Sequence, residues 1–279
     1  MNTKKRMSSK SVFKLIKGDV FRGFYYNRFR YVLVLLMITG IIVMMASRQF
    51  GMLDTVFFLQ GGYEAVDVIK NGKITFPYIW MAIQFLVAFM VFNYCNDDCE
   101  GVGVDVLIKC KSRGLWWVSK CIWNALTVIS VYIIEYVVAF FFGVHNKSLD
   151  GTINYALFKK MSNKNLPDNQ ESIYIIIYLM LVPLLVSIAV SLLQMTISID
   201  FNPIIGILVV MALMVLSAFF YNPIMIGNVS MVMRSSVYNA GKIKVWKGLC
   251  VCILTYVICF IAGILMFRKR DILQKEGEE

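Results

Sequence analysis

The chain has 279 residues, 59% of them hydrophobic and only 16% charged, with a mean hydropathy of +0.69 and a formal net charge of +11. These values lie outside the range of a soluble domain and point to the bilayer as solvent. The positive balance suits anionic lipid headgroups, where each basic residue contributes about 1 kcal/mol. No basic stripe interleaves with aromatic residues on a soluble domain, so nucleic acid is not expected as a partner.

In chain order, Val12, Phe13, Leu15, Ile16, Val20, Phe21 and Phe24 recur at helical spacing with Lys14, Lys17, Asp19 and Arg22 among them. This predicts an amphipathic helix over 11–24, lying in the membrane interface, with a frayed tail as the alternative. Six apolar runs follow, at 31–47, 77–94, 115–142, 172–198, 203–221 and 245–267. Each approaches or exceeds the roughly 20 residues that a membrane-crossing helix needs. None reads as a cleavable signal peptide, because the first begins after a long polar and basic stretch without a small-residue cleavage site behind it. Barrels need short alternating strands, so the expected fold class is an all-α integral membrane protein with six transmembrane helices in a single domain, 1–279.

The larger share of the 28 basic residues falls on one face of this layout, led by Lys4, Lys5, Arg6, Lys10, Lys14, Lys17, Arg22, Arg28 and Arg30. The positive-inside rule therefore predicts a multi-pass cell-membrane protein with both termini in the cytoplasm. The first external connection, 48–76, carries several glycines and too little apolar periodicity for a domain. The second, 143–171, holds the single histidine, His145, which reads as a surface residue. The turn between the fourth and fifth runs is only "IDFNP", a tight hairpin in which Pro203 suits the first helical turn and Asp200 or Asn202 the cap. The segment 222–244 is half apolar with a lone Arg234, and a short re-entrant or interfacial helix covered by protein is expected there.

Chemistry is sparse. One carboxylate, Glu135 in "VYIIEYVVAFF", lies at depth, roughly 10 Å below the outer surface at 1.5 Å per residue. It either lines a translocation path or is a structural acid bonded to a group such as Gln84, Asn124 or Gln194. The seven cysteines avoid the external connections, which argues against a disulfide framework, and Cys95 and Cys99 lack further ligands at zinc spacing. No metal, resident cofactor or catalytic residue is expected. No nucleotide-cradling glycine loop with its lysine is present either, so any energy must come from another chain or from a gradient.

The charged interval 93–120 reads "NYCNDDCEGVGVDVLIKCKSRGLWWVSK". Taken as a helix over 97–112, Gly101, Val104, Leu107 and Ile108 form an apolar stripe. Asp97, Asp98, Glu100, Asp105, Lys109 and Lys111 form the polar, water-facing surface, a shape that seats in a partner's groove. Trp116 and Trp117 mark the membrane interface.

The order Glu100, Gly101, Leu107, Ile108, Ser112, Arg113, Ser119, Lys120 resembles the first cytoplasmic loop of type 2 ABC exporter permeases. The finish "FRKRDI" from Phe267 to Ile272, the basic helix before the first run and the count of six are similar to the same family. The resemblance implies a coupling helix, with Asp98, Glu100, Gly101, Val104, Asp105, Leu107, Ile108 and Arg113 docking on a separate cytoplasmic nucleotide-binding ATPase subunit that carries the ATP and Mg. It also implies a second permease, a copy or a paralogue, and export of an amphipathic peptide, antibiotic or drug-like substrate. A gradient-driven carrier or channel, or a non-transporting membrane anchor subunit, is the alternative. The second external connection departs from the family by its length.

Overall fold

The computed structural model describes residues 9–45, 50–63, 76–100, 113–146, 153, 172–236 and 242–269. Among them the chain is all-helical, without a strand and with one isolated parallel bridge between Ser235 and Ile243. The helices are α1 Ser9–Tyr26, α2 Arg28–Met45, α3 Met52–Gln60, α4 Tyr78–Val91, α5 Tyr94–Glu100, α6 Arg113–His145, α7 Ser172–Asp200, α8 Pro203–Phe219, α9 Ile226–Ser230 and α10 Val245–Lys269, with a 3-10 turn Val232–Arg234 after α9.

Each apolar run of the sequence overlaps a helix among the described residues, and the second, 77–94, is broken at Phe92 and Asn93. Four helical stretches are long and apolar enough to cross a membrane: Tyr78–Asp98, which joins α4 and α5, and Arg113–His145, Ile176–Asp200 and Val245–Phe267. A fifth appears if α1 and α2, which meet at a 58° bend, count as one, while Pro203–Phe219 is apolar but shorter.

Helix α7 is the centre of the bundle and packs on α4, α6, α8, α9 and α10. Its sequence is apolar around most of its circumference, as a helix surrounded by others must be, and Leu179, Val186, Ala189 and Leu192 are sealed from the surface. Helix α6 is two-faced. Trp117, Cys121, Asn124, Val128, Val131, Glu135 and Ala139 recur at three- and four-residue steps and face inward, whereas Ile133, Val137, Phe140 and Phe141 stay exposed as a lipid-facing side would.

In lipid the burial of apolar surface no longer draws helices together, so close approach and interhelical hydrogen bonds carry the association. The α7–α8 hairpin illustrates the point. A Cβ added at Gly206 would sit 2.1 Å from Ser198 Oγ and 2.8 Å from the Gln194 carbonyl oxygen, so only glycine lets the two helices meet here. Of the two candidate caps, Asn202 is the one used: its Oδ1 accepts from the Ile204 N–H at 2.9 Å, with Pro203 in the first turn.

The connection after α2 differs from its expected loop character. Met52–Gln60 is a helix buried along almost its whole length. The Asp54 carboxylate accepts from the Gly51 N–H at 3.0 Å, and the Thr55 hydroxyl donates to the Gly51 carbonyl at 2.8 Å. A nine-residue helix surrounded by protein leaves no amphipathic period to detect.

Candidate functional site

Three polar constructions are buried in this bundle. The first lies where α1, α5 and the start of α6 converge. Local geometry at the end of α4 sets it up: Phe92 and Asn93 interrupt the helix, and Asn93 takes a positive φ of 67°, a conformation asparagine tolerates. The Asn93 carbonyl then accepts from the Asn96 and Asp97 N–H groups at 3.0 Å, starting α5 in a new direction. Arg30 of α2 donates to the freed Phe92 carbonyl at 2.7 Å, a cation at a helix C-terminus.

That turn delivers Tyr94 and Asp98 toward Lys120, whose side chain has no exposed surface. Its Nζ lies 2.5 Å from Asp19 Oδ1 and 2.6 Å from Asp98 Oδ2, beneath the rings of Tyr94 and Trp116 at 4.4 and 5.0 Å from their centroids. Arg22 lies 3.4 Å from both carboxylates. Asp19 further accepts from Ser119 Oγ at 2.8 Å and Tyr94 Oη at 3.0 Å. Two acids and two cations therefore balance, and Asp19 is fully engaged, which is the condition for burying charge without a large penalty. Helix α1 reaches this position because Gly23 lies flat on Trp123, where an added Cβ would be 1.9 Å from the indole nitrogen.

The expected docking residues divide in this structure. Asp98, read from the sequence as water-facing, is only 8% exposed and turned inward to Lys120, because the break at Asn93 rotates α5 onto α6 and α1. Glu100 ends α5. Gly101, Val104, Asp105, Leu107 and Ile108 lie outside the described residues, as does the 97–112 helix beyond Glu100. Arg113 opens α6 and is partly buried. Asp19, Arg22 and Tyr94 were not singled out as a site. The available signal was that Asp19 is the sole carboxylate in the first fifty residues, set among cations.

The second construction contains Glu135, which is fully buried. Its partner is none of the three expected groups. Gln60, at the end of α3, donates its amide to both carboxylate oxygens at 3.0 and 2.8 Å. One turn back, the Tyr132 and Ser187 hydroxyls are 2.8 Å apart, and Ser187 donates to Gln84 Oε1 at 3.0 Å. Further along α7, Asn124 donates to Ser191 Oγ at 3.0 Å and Gln194 to the Ala88 carbonyl at 2.9 Å. This polar seam, with Glu135 its one carboxylate, joins α3, α4, α6 and α7. Buried atoms without a hydrogen bond occur in both: in the ion cluster Arg22 Nη1 and Asp98 Oδ2 are held by ion pairs instead, whereas in the seam Gln84 Nε2 and Gln194 Oε1, both on the wall of one small cavity, have no charge facing them.

The third construction is built on Arg234, 3% exposed. It donates to the carbonyls of Tyr63 at 2.9 Å, Ser217 at 2.6 Å and Ala218 at 2.8 Å, and to Asn228 Oδ1. Burial pushes its pKa down to about 10, so it keeps its proton at neutral pH. The cation closes the C-terminal end of α8 over the α9 segment, a structural role.

Among the described residues no three His, Cys, Asp or Glu side chains converge as a metal site. No curated protein and no solved structure matches the chain. A family model described as "Protein of unknown function (DUF2705)" matches residues 25–273. With nearly the whole length covered, the chain belongs to the DUF2705 family.

Proposed function

We propose that this protein is the six-span permease subunit of an ATP-driven exporter of the ABC type, with an amphipathic peptide, antibiotic or drug-like molecule as substrate. The six spans are α2, α4 with α5, α6, α7, α8 and α10, with α1 lying in the inner interface and α9 with its following turn as a re-entrant segment. Both termini are cytoplasmic, ATP and Mg bind on a separate ATPase, and two permeases assemble around the path.

One observation carries the reading. The segment 101–112 leaves from α5 and returns into α6, and Asp98 and Lys120 bind those two ends together while Asp19 and Arg22 tie both to α1. A push received by 101–112 is thereby passed to three elements at once, instead of bending one helix end. ATP-dependent closure of the partner would bias a rigid-body tilt of this unit, to the extent that the partner binds one orientation better than the other.

The test is co-purification of the ATPase and ATP-dependent transport in wild type and in Leu107→Asp with Ile108→Asp. Both are expected to be lost in the variant, and unchanged binding with unchanged transport would remove the docking hypothesis. A second reading, a gradient-driven carrier, draws support from Glu135, because ionisable groups at membrane depth are expensive and commonly functional. Transport that persists without ATP but collapses with an ionophore would favour it.

A further inference from the structure

At the elbow between α1 and α2 a groove of about 530 Å³ opens beside α5. That volume suits a small organic headgroup. The rings of Phe21, Tyr25 and Phe29 stand 73, 63 and 72% exposed around it, a placement that aromatic side chains adopt at a membrane–water boundary. The 58° bend gives the same location, since α1 turns there out of the direction of α2.

The charges on the groove wall can be sorted by what already engages them. Arg22 and Asp98 belong to the ion cluster with Lys120 and Asp19, which is balanced within itself. Arg28 is different. Its guanidinium lies 4.2 Å from the Tyr25 ring centroid and 4.8 Å from that of Phe29, and no carboxylate pairs with it among the described residues. Asp97 accepts from Asn93 Nδ2 at 2.6 Å and from the Tyr26 hydroxyl, both neutral donors, so its negative charge is hydrogen-bonded but, among the described residues, not neutralised by a cation. The groove therefore offers one uncompensated cation, one uncompensated anion and aromatic faces between them.

We infer that this groove binds the headgroup of a zwitterionic glycerophospholipid carrying an ammonium group. The phosphate diester meets Arg28, whose planar fork suits two phosphate oxygens. The ammonium meets Asp97 and the exposed Tyr26 ring, which also line the groove. An anionic headgroup would satisfy Arg28 but leave Asp97 facing like charge. The assignment is independent of any transported substrate.

The test uses the full-length protein in nanodiscs of equimolar phosphatidylethanolamine, phosphatidylglycerol and phosphatidylcholine. It reads the lipids retained on the released protein by native mass spectrometry. Wild type is expected to retain one phosphatidylethanolamine per chain in preference to phosphatidylglycerol. Arg28→Gln should lower retention of both about tenfold, the effect of losing a charge-assisted hydrogen bond. Asp97→Asn should invert the preference toward phosphatidylglycerol. Lys247→Gln, at a cation set 5.7 Å from the Trp246 ring centroid far along the chain, is the control and should change nothing. Soluble glycerophosphoethanolamine at the same concentration should not displace the lipid, which separates a membrane-anchored ligand from a free headgroup. Equal losses in Arg28→Gln and Lys247→Gln, retention blind to headgroup, or displacement by the soluble headgroup would each overturn the assignment. Arg28 and Lys247 are both exposed, so unchanged melting temperatures are the check that each variant is folded.

Discussion

The ion cluster around Lys120 and the amide and hydroxyl seam around Glu135 bury polar groups by opposite means. The cluster gathers full charges of both signs from α1, α5 and α6 and leaves Lys120 with no exposed surface. The seam strings amides and hydroxyls along α7, includes one acid, and tolerates unmatched atoms such as Gln84 Nε2. Full charges impose the stricter requirement, since an unpaired buried ion costs several kcal/mol whereas an unpaired amide costs about 1–3. The cluster is accordingly a lock with one arrangement, while the seam has room to rearrange as helices shift.

The sharpest break is Lys120→Met, which leaves the buried Asp19 and Asp98 with only Arg22, 3.4 Å from each, to offset them. A loss of about 3–5 kcal/mol is expected, read as a large fall in melting temperature in detergent, and Asp19→Asn with Asp98→Asn on the same background should recover most of it. Retained stability in the single variant would mean the charges are not locked together. Next comes Gly23→Leu, where the new side chain meets the Trp123 ring and lifts α1; overpacking of this kind costs about 1–3 kcal/mol. Proteolysis within α1 should accelerate in that variant while α7 stays protected.

In the seam, Glu135→Leu removes the acceptor of Gln60 and should cost about 1–3 kcal/mol, whereas Glu135→Gln keeps an acceptor oxygen and should cost less than about 1. Equal effects of the two on melting would show that the acid's charge, not its hydrogen bond, matters. The smallest change is expected from Gln84→Met, below about 1 kcal/mol, because that amide nitrogen has no partner to lose and only the Ser187 hydrogen bond disappears. A larger loss would place a water molecule between Gln84 and Gln194.

The long apolar helices were legible because length and composition alone define them, and the turn at Asn202 because its residue types have fixed uses. Met52–Gln60 was not, since nine residues enclosed by protein carry no periodic contrast. Glu135 was found as an acid at depth, but its partner lies 75 residues away on that hidden helix, beyond any local pattern. Asp98 was read as water-facing because the helix was taken over 97–112 by itself, whereas the turn at Asn93 brings α5 against α6 and α1 and sets Asp98 on Lys120. Asp19 carried a signal in its isolation among cations, and pairing it with Lys120 requires tertiary contact over 101 residues.

That separation has a consequence for biogenesis. Ribosomes add about 5–20 residues per second, so Lys120 follows Asp19 by roughly 5–20 s. Through most of that interval α1 has only Arg22 to pair with its acid, until Tyr94 and Asp97 emerge to bond Asp19 and Tyr26. Asp98 emerges with Arg22 as its one available cation, and Lys120 arrives last near the head of α6. The cluster thus closes only after the start of α6 has been made. A chain that stops earlier holds two acids against the single cation of Arg22, so the charge balance of the cluster is reached only when α6 has begun.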